Sequence, residues 1–181
     1  LIFLKLAIKK LIFSPAPYVS IQQIIEAFSG YMSLNDNLET AIKLTVASVL
    51  SVTIPGPDPA WLFITGPPGS GKTTILSALK DVSRCYFQST LRARSLISGF
   101  TNNNGFDPSI LARIGNKCLV LKDFTEILGK PHVEREEIFS ILRGAYDGEA
   151  ELDFGNGQFR KYKCNFSIVA GVTDTIYSHS T

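Results

Sequence analysis

The sequence is poor in cysteine and histidine, which limits disulfide and metal chemistry. Its 181 residues include three cysteines, Cys85, Cys118 and Cys164, and two histidines, and no C-x-x-C motif occurs. An odd number of widely spaced cysteines does not indicate a disulfide framework, and the ligand spacing of a structural zinc site is missing. We therefore expect three free thiols and a reducing, cytoplasmic location.

Charge is also scarce and nearly balanced. Charged residues make up 19% of the chain and the formal net charge is +2, whereas globular domains usually have roughly 25% charged residues. So small an excess does not by itself favour nucleic acid as a partner. Hydrophobic residues account for 45% of the chain, which excludes an intrinsically disordered protein.

No uninterrupted apolar run is long enough to span a bilayer, which takes about 20 residues. The most apolar stretch, residues 1–13, is interrupted by Lys5, Lys9 and Lys10. A signal peptide would carry its positive charge before the apolar run. The segment can form a basic amphipathic helix that packs on protein or lies on a membrane surface; we favour packing and expect no membrane partner. Because residue 1 is Leu and the single methionine is Met32, we expect that the natural start lies upstream.

Two helices are predicted before the middle of the chain. Ser20 and Asp36 each precede an apolar helical pattern and have Gln or Glu three residues later, as in a capping box. The patterns predict helices over 21–28 and 37–52.

A proline-rich stretch, residues 55–59, ends this helical part. We place a domain boundary there, with a helical lead-in over 1–54 and the main domain over 55–181. The main domain is expected to be of the α/β class.

The strongest motif follows a short apolar run, Trp61–Thr65, which predicts a buried strand. The next residues match G-x-x-x-x-G-K-[ST] at every fixed position, and a helical pattern continues to about Val82. Strand, glycine-rich loop and helix are the context that this motif requires. The motif, called the phosphate loop below, comprises Gly66, Pro67, Pro68, Gly69, Ser70, Gly71, Lys72, Thr73 and Thr74.

The residue types of this loop suit a nucleoside triphosphate. Glycines let successive backbone N–H groups converge on phosphate oxygens, and a helix N-terminus adds partial positive charge. Lys72 can reach the terminal phosphates as a point charge. The Thr73 hydroxyl is an oxygen ligand suited to Mg²⁺. ATP and Mg²⁺ are therefore the expected cofactors.

An acidic partner for Mg²⁺ is expected at the end of a neighbouring strand. The apolar run 118–121 is followed by Lys122 and Asp123. Many ATPases have two acids here, one for the metal shell and one that polarises water, but Phe124 follows Asp123. Either Asp123 belongs to the metal shell and Glu126 or an outside residue is the base, or Lys122 occupies the metal-shell position and Asp123 activates water. We favour the first alternative.

A third buried strand is predicted over 166–172 and ends at Thr173. If it lies beside the phosphate-loop strand, the Thr173 hydroxyl faces the terminal phosphate and can position the attacking water. The alternative is a threonine that merely begins a turn.

A β-hairpin precedes this strand. Two strand-like runs flank an Asn-Gly turn at 156–157. Its second arm has Arg160, Lys161 and Lys163 interleaved with aromatic residues, a pattern that suits a nucleic-acid backbone and its bases. A solvated edge hairpin that lysine protects from aggregation is the alternative.

Taken together, the motifs resemble the core of an AAA+ ATPase, a plan shared with superfamily-3 helicases and helicase loaders. More closely, the chain resembles ATP-binding proteins of phages, plasmids and related mobile elements over residues 38–178. The segments that carry this resemblance are Trp61-Leu62, the phosphate loop, Ser95–Gly99, Leu121–Thr125, Tyr146–Gly148 and Ala170–Thr173.

The resemblance implies a three-layer α/β/α P-loop NTPase fold with a mostly parallel sheet, a hairpin before the polar-ended strand, and a helical lid that would follow Thr181. It also implies a homo-oligomeric ring and Mg²⁺-dependent ATP hydrolysis coupled to DNA replication or processing. Arg143 is a candidate for an arginine finger that acts on a neighbouring subunit, but we favour a solvated arginine at this position. A non-hydrolysing nucleotide switch or scaffold, and a small-molecule kinase, are the alternatives.

Overall fold

The computed structural model describes residues 19–56, 58–101 and 104–179; the apolar segment 1–13 lies outside them. The helices are α1 Ile21–Ser29, α2 Asp36–Ser51, α3 Lys72–Ala78, α4 Ala93–Leu96, α5 Ile110–Ile114, α6 Thr125–Leu128 and α7 His132–Tyr146. The strands are β1 Trp61–Thr65, β2 Cys85–Gln88, β3 Cys118–Leu121, β4 Glu149–Asp153, β5 Phe159–Lys163 and β6 Ser167–Val172, followed by a 3-10 helix, Asp174–His179.

Four strands form a parallel sheet in the order β1-β6-β3-β2. On one side of β6, Val169 lies opposite Leu62 of β1; on the other, Ile168 lies opposite Leu119 of β3. The polar-ended strand therefore lies beside the phosphate-loop strand, which is the condition stated above for the role of Thr173. Because the strands are parallel, the segments that follow β1, β3 and β6 all emerge at one edge of the sheet.

Helices cover both faces of this sheet, which gives an α/β structure compatible with a three-layer α/β/α fold. All residues of β3 and β6 are buried, as expected for strands covered on two sides. One face packs in a cluster with α1, α2 and α3, among them Ile42, Val49, Ile75, Leu76, Val120 and Val169. The other face packs in a cluster with α4 to α7, among them Leu96, Ile127, Ile138, Leu142, Leu119 and Ile168.

The two N-terminal helices begin at side-chain caps. In α1 the predicted capping box is confirmed: Ser20 Oγ accepts from the Gln23 N–H at 3.2 Å, and the Ser20 N–H donates to Gln23 Oε1 at 2.8 Å. The cap of α2 is Asn35, whose Oδ1 accepts from the Leu38 N–H at 2.9 Å. The prediction that Asp36 caps this helix is wrong by one residue, and Asp36 instead lies in the first turn, where the helix dipole favours a negative charge.

Helix α2 is tied directly to the sheet. The Ser48 hydroxyl lies 2.9 Å from the Ala60 carbonyl oxygen and 3.2 Å from that of Ile168. The Ala60 carbonyl immediately precedes β1, and the Ile168 carbonyl lies within β6. One buried hydroxyl therefore joins the helical lead-in to both strands. The lead-in and the sheet also share one buried apolar cluster.

Three short helices surround β3: α4 and α5 lie between β2 and β3, and α6 follows β3. Segments of four or five residues are too short for propensity to identify them, because such helices depend on tertiary packing. Here Leu96, Ile110 and Ile127 are at most 1% exposed and provide that packing.

The predicted hairpin is present as an antiparallel pair of β4 and β5, in which Ala150 lies opposite Tyr162. Among the described residues, no helix combines the length and the apolar character needed to cross a bilayer.

Candidate functional site

A cleft of about 380 Å³ lies where β1, β3 and β6 end. In open α/β sheets, ligands bind at the carboxyl ends of the strands. Residues from three separate segments line this cleft: Pro68 to Thr74 of the phosphate loop, Lys122, Asp123 and Thr125 after β3, and Gly171, Val172 and Thr173 at the end of β6. The fold thus brings together the three segments that the sequence singled out independently.

The phosphate loop depends on glycine for its backbone shape. Gly69 and Gly71 have φ values of +81° and +89°, in the left-handed region that side chains with a Cβ rarely adopt. Gly71 immediately precedes α3. The loop therefore turns sharply from β1 into the helix, and Lys72 and Thr73 are the first residues of that helix.

The Lys72 ammonium group lies over its own loop. It donates to the carbonyl oxygens of Gly66 and Pro67, at 2.8 Å in the latter case, and lies 3.2 Å from Ser70 Oγ. An ammonium group has three donors and no acceptor, so these contacts use its full capacity. A bound phosphate group would offer oxygen acceptors in exchange for the loop carbonyls.

Asp123 lies in the loop after β3, in an exposed position that lines the cleft. Its Oδ1 accepts from the Thr125 N–H at 2.9 Å, which fixes the carboxylate relative to the start of α6. In the part of the chain that the structure describes, the second carboxylate oxygen has no hydrogen-bond donor beside it and can take another partner. Among the described residues that line the cleft, Asp123 is the only carboxylate.

Glu126, the predicted base, is not brought into the cleft. It is an exposed residue of α6 and is absent from the described cleft lining. The first turn of α6 directs Thr125 to the cleft and Ile127 to the core, and Glu126 faces neither. Lys122 lines the cleft beside Asp123. Both alternatives from the sequence therefore stay open: either Asp123 belongs to the metal shell, or Lys122 occupies that position and Asp123 activates water.

Thr173 lies at the cleft edge, as predicted, and is part of a hydroxyl network. Its hydroxyl is 3.2 Å from that of Thr125 and 2.8 Å from that of Thr175. The Thr173 N–H also donates to Thr125 Oγ1 at 3.0 Å. Thr125 was not predicted from the sequence as a site residue. Its one signal was its place two residues after Asp123, the spacing at which an Asp side chain bonds the backbone in an Asx turn.

The fit to Mg²⁺ follows from the donor set. Among residues 19–56, 58–101 and 104–179, no three His, Cys, Asp or Glu side chains form a cluster that could hold a metal by themselves. Mg²⁺ differs from most metals in this respect, since proteins usually hold it by one or two carboxylates together with substrate phosphates. Asp123 and the exposed hydroxyl of Thr73 meet this requirement at the cleft.

The basic hairpin residues do not form one surface. Arg160 is turned inward, where it donates to Thr101 Oγ1 and lies 3.9 Å from the Asp107 carboxylate. Lys161 and Lys163 are exposed on the opposite face. This division follows from the two-residue period of a strand.

The outer face of the hairpin is not basic overall. Lys161 lies 2.7 Å from Glu149 and 3.7 Å from Glu151. The hydrogen bond to Glu149 raises the pKa of Lys161 and lowers that of Glu149. Lys163 also lies on this face, and Asp153 lies opposite the exposed Phe159. Three carboxylates thus face two lysines.

Arg143, the candidate arginine finger, is not among the described residues that line the cleft. Arg143 is on α7 with its side chain 71% exposed, 3.8 Å from Glu136. It lines a separate apolar groove with Trp61 and Phe139. Any contact of Arg143 with a bound phosphate would therefore have to be with that of another subunit.

No protein-family model matches the chain, and no curated protein matches it. The family resemblance carried by the motifs stays a prediction.

Proposed function

We propose that this chain binds ATP with Mg²⁺ in the strand-end cleft and hydrolyses it, as the core of an AAA+-like P-loop ATPase. The observation that supports this most is the convergence of the phosphate loop, Asp123 and Thr173 at adjacent strand ends. Neither the glycine-rich loop alone nor a lone aspartate would be enough to propose an ATPase site. Their meeting across three strands provides a phosphate cradle, a metal-shell carboxylate and a polar group in one cleft.

Each side chain has a distinct task in this proposal. The loop N–H groups and Lys72 bind the phosphates and stabilise the charge that develops on them. Thr73 and Asp123 hold Mg²⁺, which neutralises phosphate charge when bound. Thr173 accepts a hydrogen bond from the attacking water and orients it. We assign Asp123 to the metal shell rather than to water activation because Mg²⁺ is usually held by at least one carboxylate, and the described cleft lining provides no other.

A nucleotide-dependent switch that does not hydrolyse ATP is the second candidate function. The observation that favours it is the exposed position of Glu126 outside the cleft, which leaves no described acid to act as the base. In an oligomer, a neighbouring subunit could contribute that group. A homo-oligomeric ring therefore predicts ATP turnover, whereas the switch predicts none.

The proposed coupling to DNA replication or processing rests on the resemblance to proteins of phages and other mobile elements. The hairpin geometry adds little, because Arg160 is engaged internally and Lys161 is paired with glutamates. Lys163 is the exposed basic residue of β5 that remains for such a contact. A kinase would need an arginine-rich lid, and the sequence has no clear one.

ATP turnover by the 181-residue chain, measured with and without single-stranded DNA, distinguishes these functions. The ATPase predicts Mg²⁺-dependent phosphate release that rises with protein concentration as subunits assemble. Tight ATP binding without turnover at any concentration would instead support the switch. Turnover that requires a small-molecule acceptor would support the kinase.

A further inference from the structure

We propose that Thr125 is a positioning residue that holds the metal-shell carboxylate and the water-orienting hydroxyl in one fixed arrangement. This inference rests on the proposed function, because it assigns Thr125 a part in the same reaction. Thr125 contacts two segments that are far apart in sequence, the loop after β3 and the end of β6. Different atoms of Thr125 contact Asp123 in the first segment and Thr173 in the second.

The backbone of Thr125 holds one side of this arrangement and its side chain holds the other. Its N–H donates to Asp123 Oδ1 at 2.9 Å. Its Oγ1 accepts from the Thr173 N–H at 3.0 Å and lies 3.2 Å from Thr173 Oγ1. A small rotation of Thr125 would therefore move the Asp123 carboxylate and the Thr173 hydroxyl together.

The hydroxyl network is compatible with the role proposed for Thr173. Each threonine hydroxyl has one proton to donate and two lone pairs. In a chain directed from Thr125 through Thr173 to Thr175, or the reverse, Thr173 donates its proton to one neighbour and accepts from the other. One lone pair of Thr173 is then left to accept from a water molecule. A water molecule that donates a hydrogen bond to Thr173 keeps its own oxygen lone pairs free, as a nucleophile requires.

The network is not needed to hold the strand ends together. The Phe124 N–H donates to the Gly171 carbonyl oxygen at 2.7 Å, and the Phe124 side chain is buried in the core. These contacts join the loop after β3 to β6 independently of the Thr125 hydroxyl. Removal of that hydroxyl is therefore expected to misplace Thr173 without unfolding the site.

The test compares Thr125→Val, which removes the hydroxyl at nearly constant volume, with Thr125→Ser, which keeps it. Steady-state turnover and MgATP affinity are measured for both variants, for Thr173→Val and for the double variant with valine at both positions. We expect Thr125→Val to lower kcat by roughly ten- to hundred-fold, as for other small misplacements of reacting groups, with MgATP affinity within about threefold. Thr125→Ser should recover most of kcat, and the double variant should be no slower than Thr173→Val, because coupled residues are not additive.

A second readout does not depend on hydrolysis. Amide hydrogen exchange at Thr173 should accelerate in Thr125→Val and stay slow in Thr125→Ser, since the Thr173 N–H loses its acceptor only in the former. Unchanged exchange in Thr125→Val overturns the inference whether or not ATP is hydrolysed. Unchanged kcat in Thr125→Val, or additive effects in the double variant, also overturns it while leaving the ATPase intact. If the wild-type chain does not hydrolyse ATP, the proposed function is contradicted. The role of Thr125 in turnover is then contradicted as well.

Discussion

The side chain of Met32 lies directly against Gly71 of the phosphate loop. A Cβ built on Gly71 would lie 2.6 Å from Met32 Cε and 3.2 Å from Leu38 Cδ2. Met32 lies in the connection between α1 and α2, and Leu38 lies in α2. The loop proposed to bind phosphate is thus covered from one side by the helical lead-in.

Gly71→Ala is expected to abolish MgATP binding. The left-handed backbone at Gly71 costs a residue with a Cβ about 1–2 kcal/mol, and the overlap with Met32 adds to that cost. Calorimetric titration of MgATP and a thermal melt measure the two effects. Gly155→Ala is a matched control, because its Cβ would meet nothing within 4 Å, and it should bind as wild type does. Normal binding by Gly71→Ala would contradict the assigned role of this loop.

Asp123→Asn is expected to lower turnover by roughly a hundredfold or more, as for loss of other groups that stabilise developing charge. The asparagine keeps an oxygen for the Thr125 N–H but loses the negative charge of the metal shell. Turnover titrated with Mg²⁺ should therefore require higher Mg²⁺ concentrations. Asp153→Asn, on the exposed hairpin face, is the charge-matched control.

Glu126→Gln is expected to leave turnover within about twofold of wild type, because this exposed side chain lies outside the described cleft lining. A loss comparable to that of Asp123→Asn would restore Glu126 as the base and would require α6 to move when ATP binds.

Arg160→Ala is expected to lower the free energy of unfolding by about 1–3 kcal/mol, since it leaves hydrogen-bonding groups unpaired in a largely buried site. The guanidinium group contacts Thr101 and Asp107. Lys163→Ala removes the same charge from an exposed position of the same strand and should leave stability unchanged. Urea unfolding measures both. If Lys163→Ala were the more destabilising variant, the inward orientation of Arg160 would be wrong.

Asp107 makes the stability of the hairpin dependent on pH. Burial acts to raise the pKa of Asp107, but hydrogen bonds from Ser109 and Tyr162 outweigh it, and the pKa is lowered overall. The unfolded chain therefore binds the proton more tightly, so the stabilising contribution is complete above the ordinary Asp pKa of about 4 and is lost as the pH falls through the lower folded value. Urea unfolding between pH 2 and 6 should show a steeper acid loss for wild type than for Asp107→Asn. Equal slopes would contradict this assignment.

The sequence predicts the phosphate loop and the strands well because each is a local pattern. The loop has fixed residues at fixed spacing, and the buried runs before Gly66, Lys122 and Thr173 are continuous and apolar. The position of β6 between β1 and β3 does not follow from such local patterns, since strand order depends on long-range packing. Thr125 was missed for the same reason, because its partner Thr173 is distant in the chain.

The hairpin shows a different limit. Composition groups Arg160, Lys161 and Lys163 together, but the two-residue period of a strand separates Arg160 from the two lysines. That separation was available from the sequence alone. The pairing of Lys161 with Glu149 was not, because it depends on the register between β4 and β5.

The measurement that tests the central proposal most directly is calorimetric titration of MgATP into the wild-type chain, Lys72→Ala and Lys80→Ala. Lys80 is an exposed lysine just beyond α3 and outside the described cleft lining, so its substitution removes the same charge without touching the site. The proposal predicts saturable binding to wild type and Lys80→Ala, and binding to Lys72→Ala that is lost or at least tenfold weaker. Equal affinity in all three proteins, or no binding to the wild type, would contradict it.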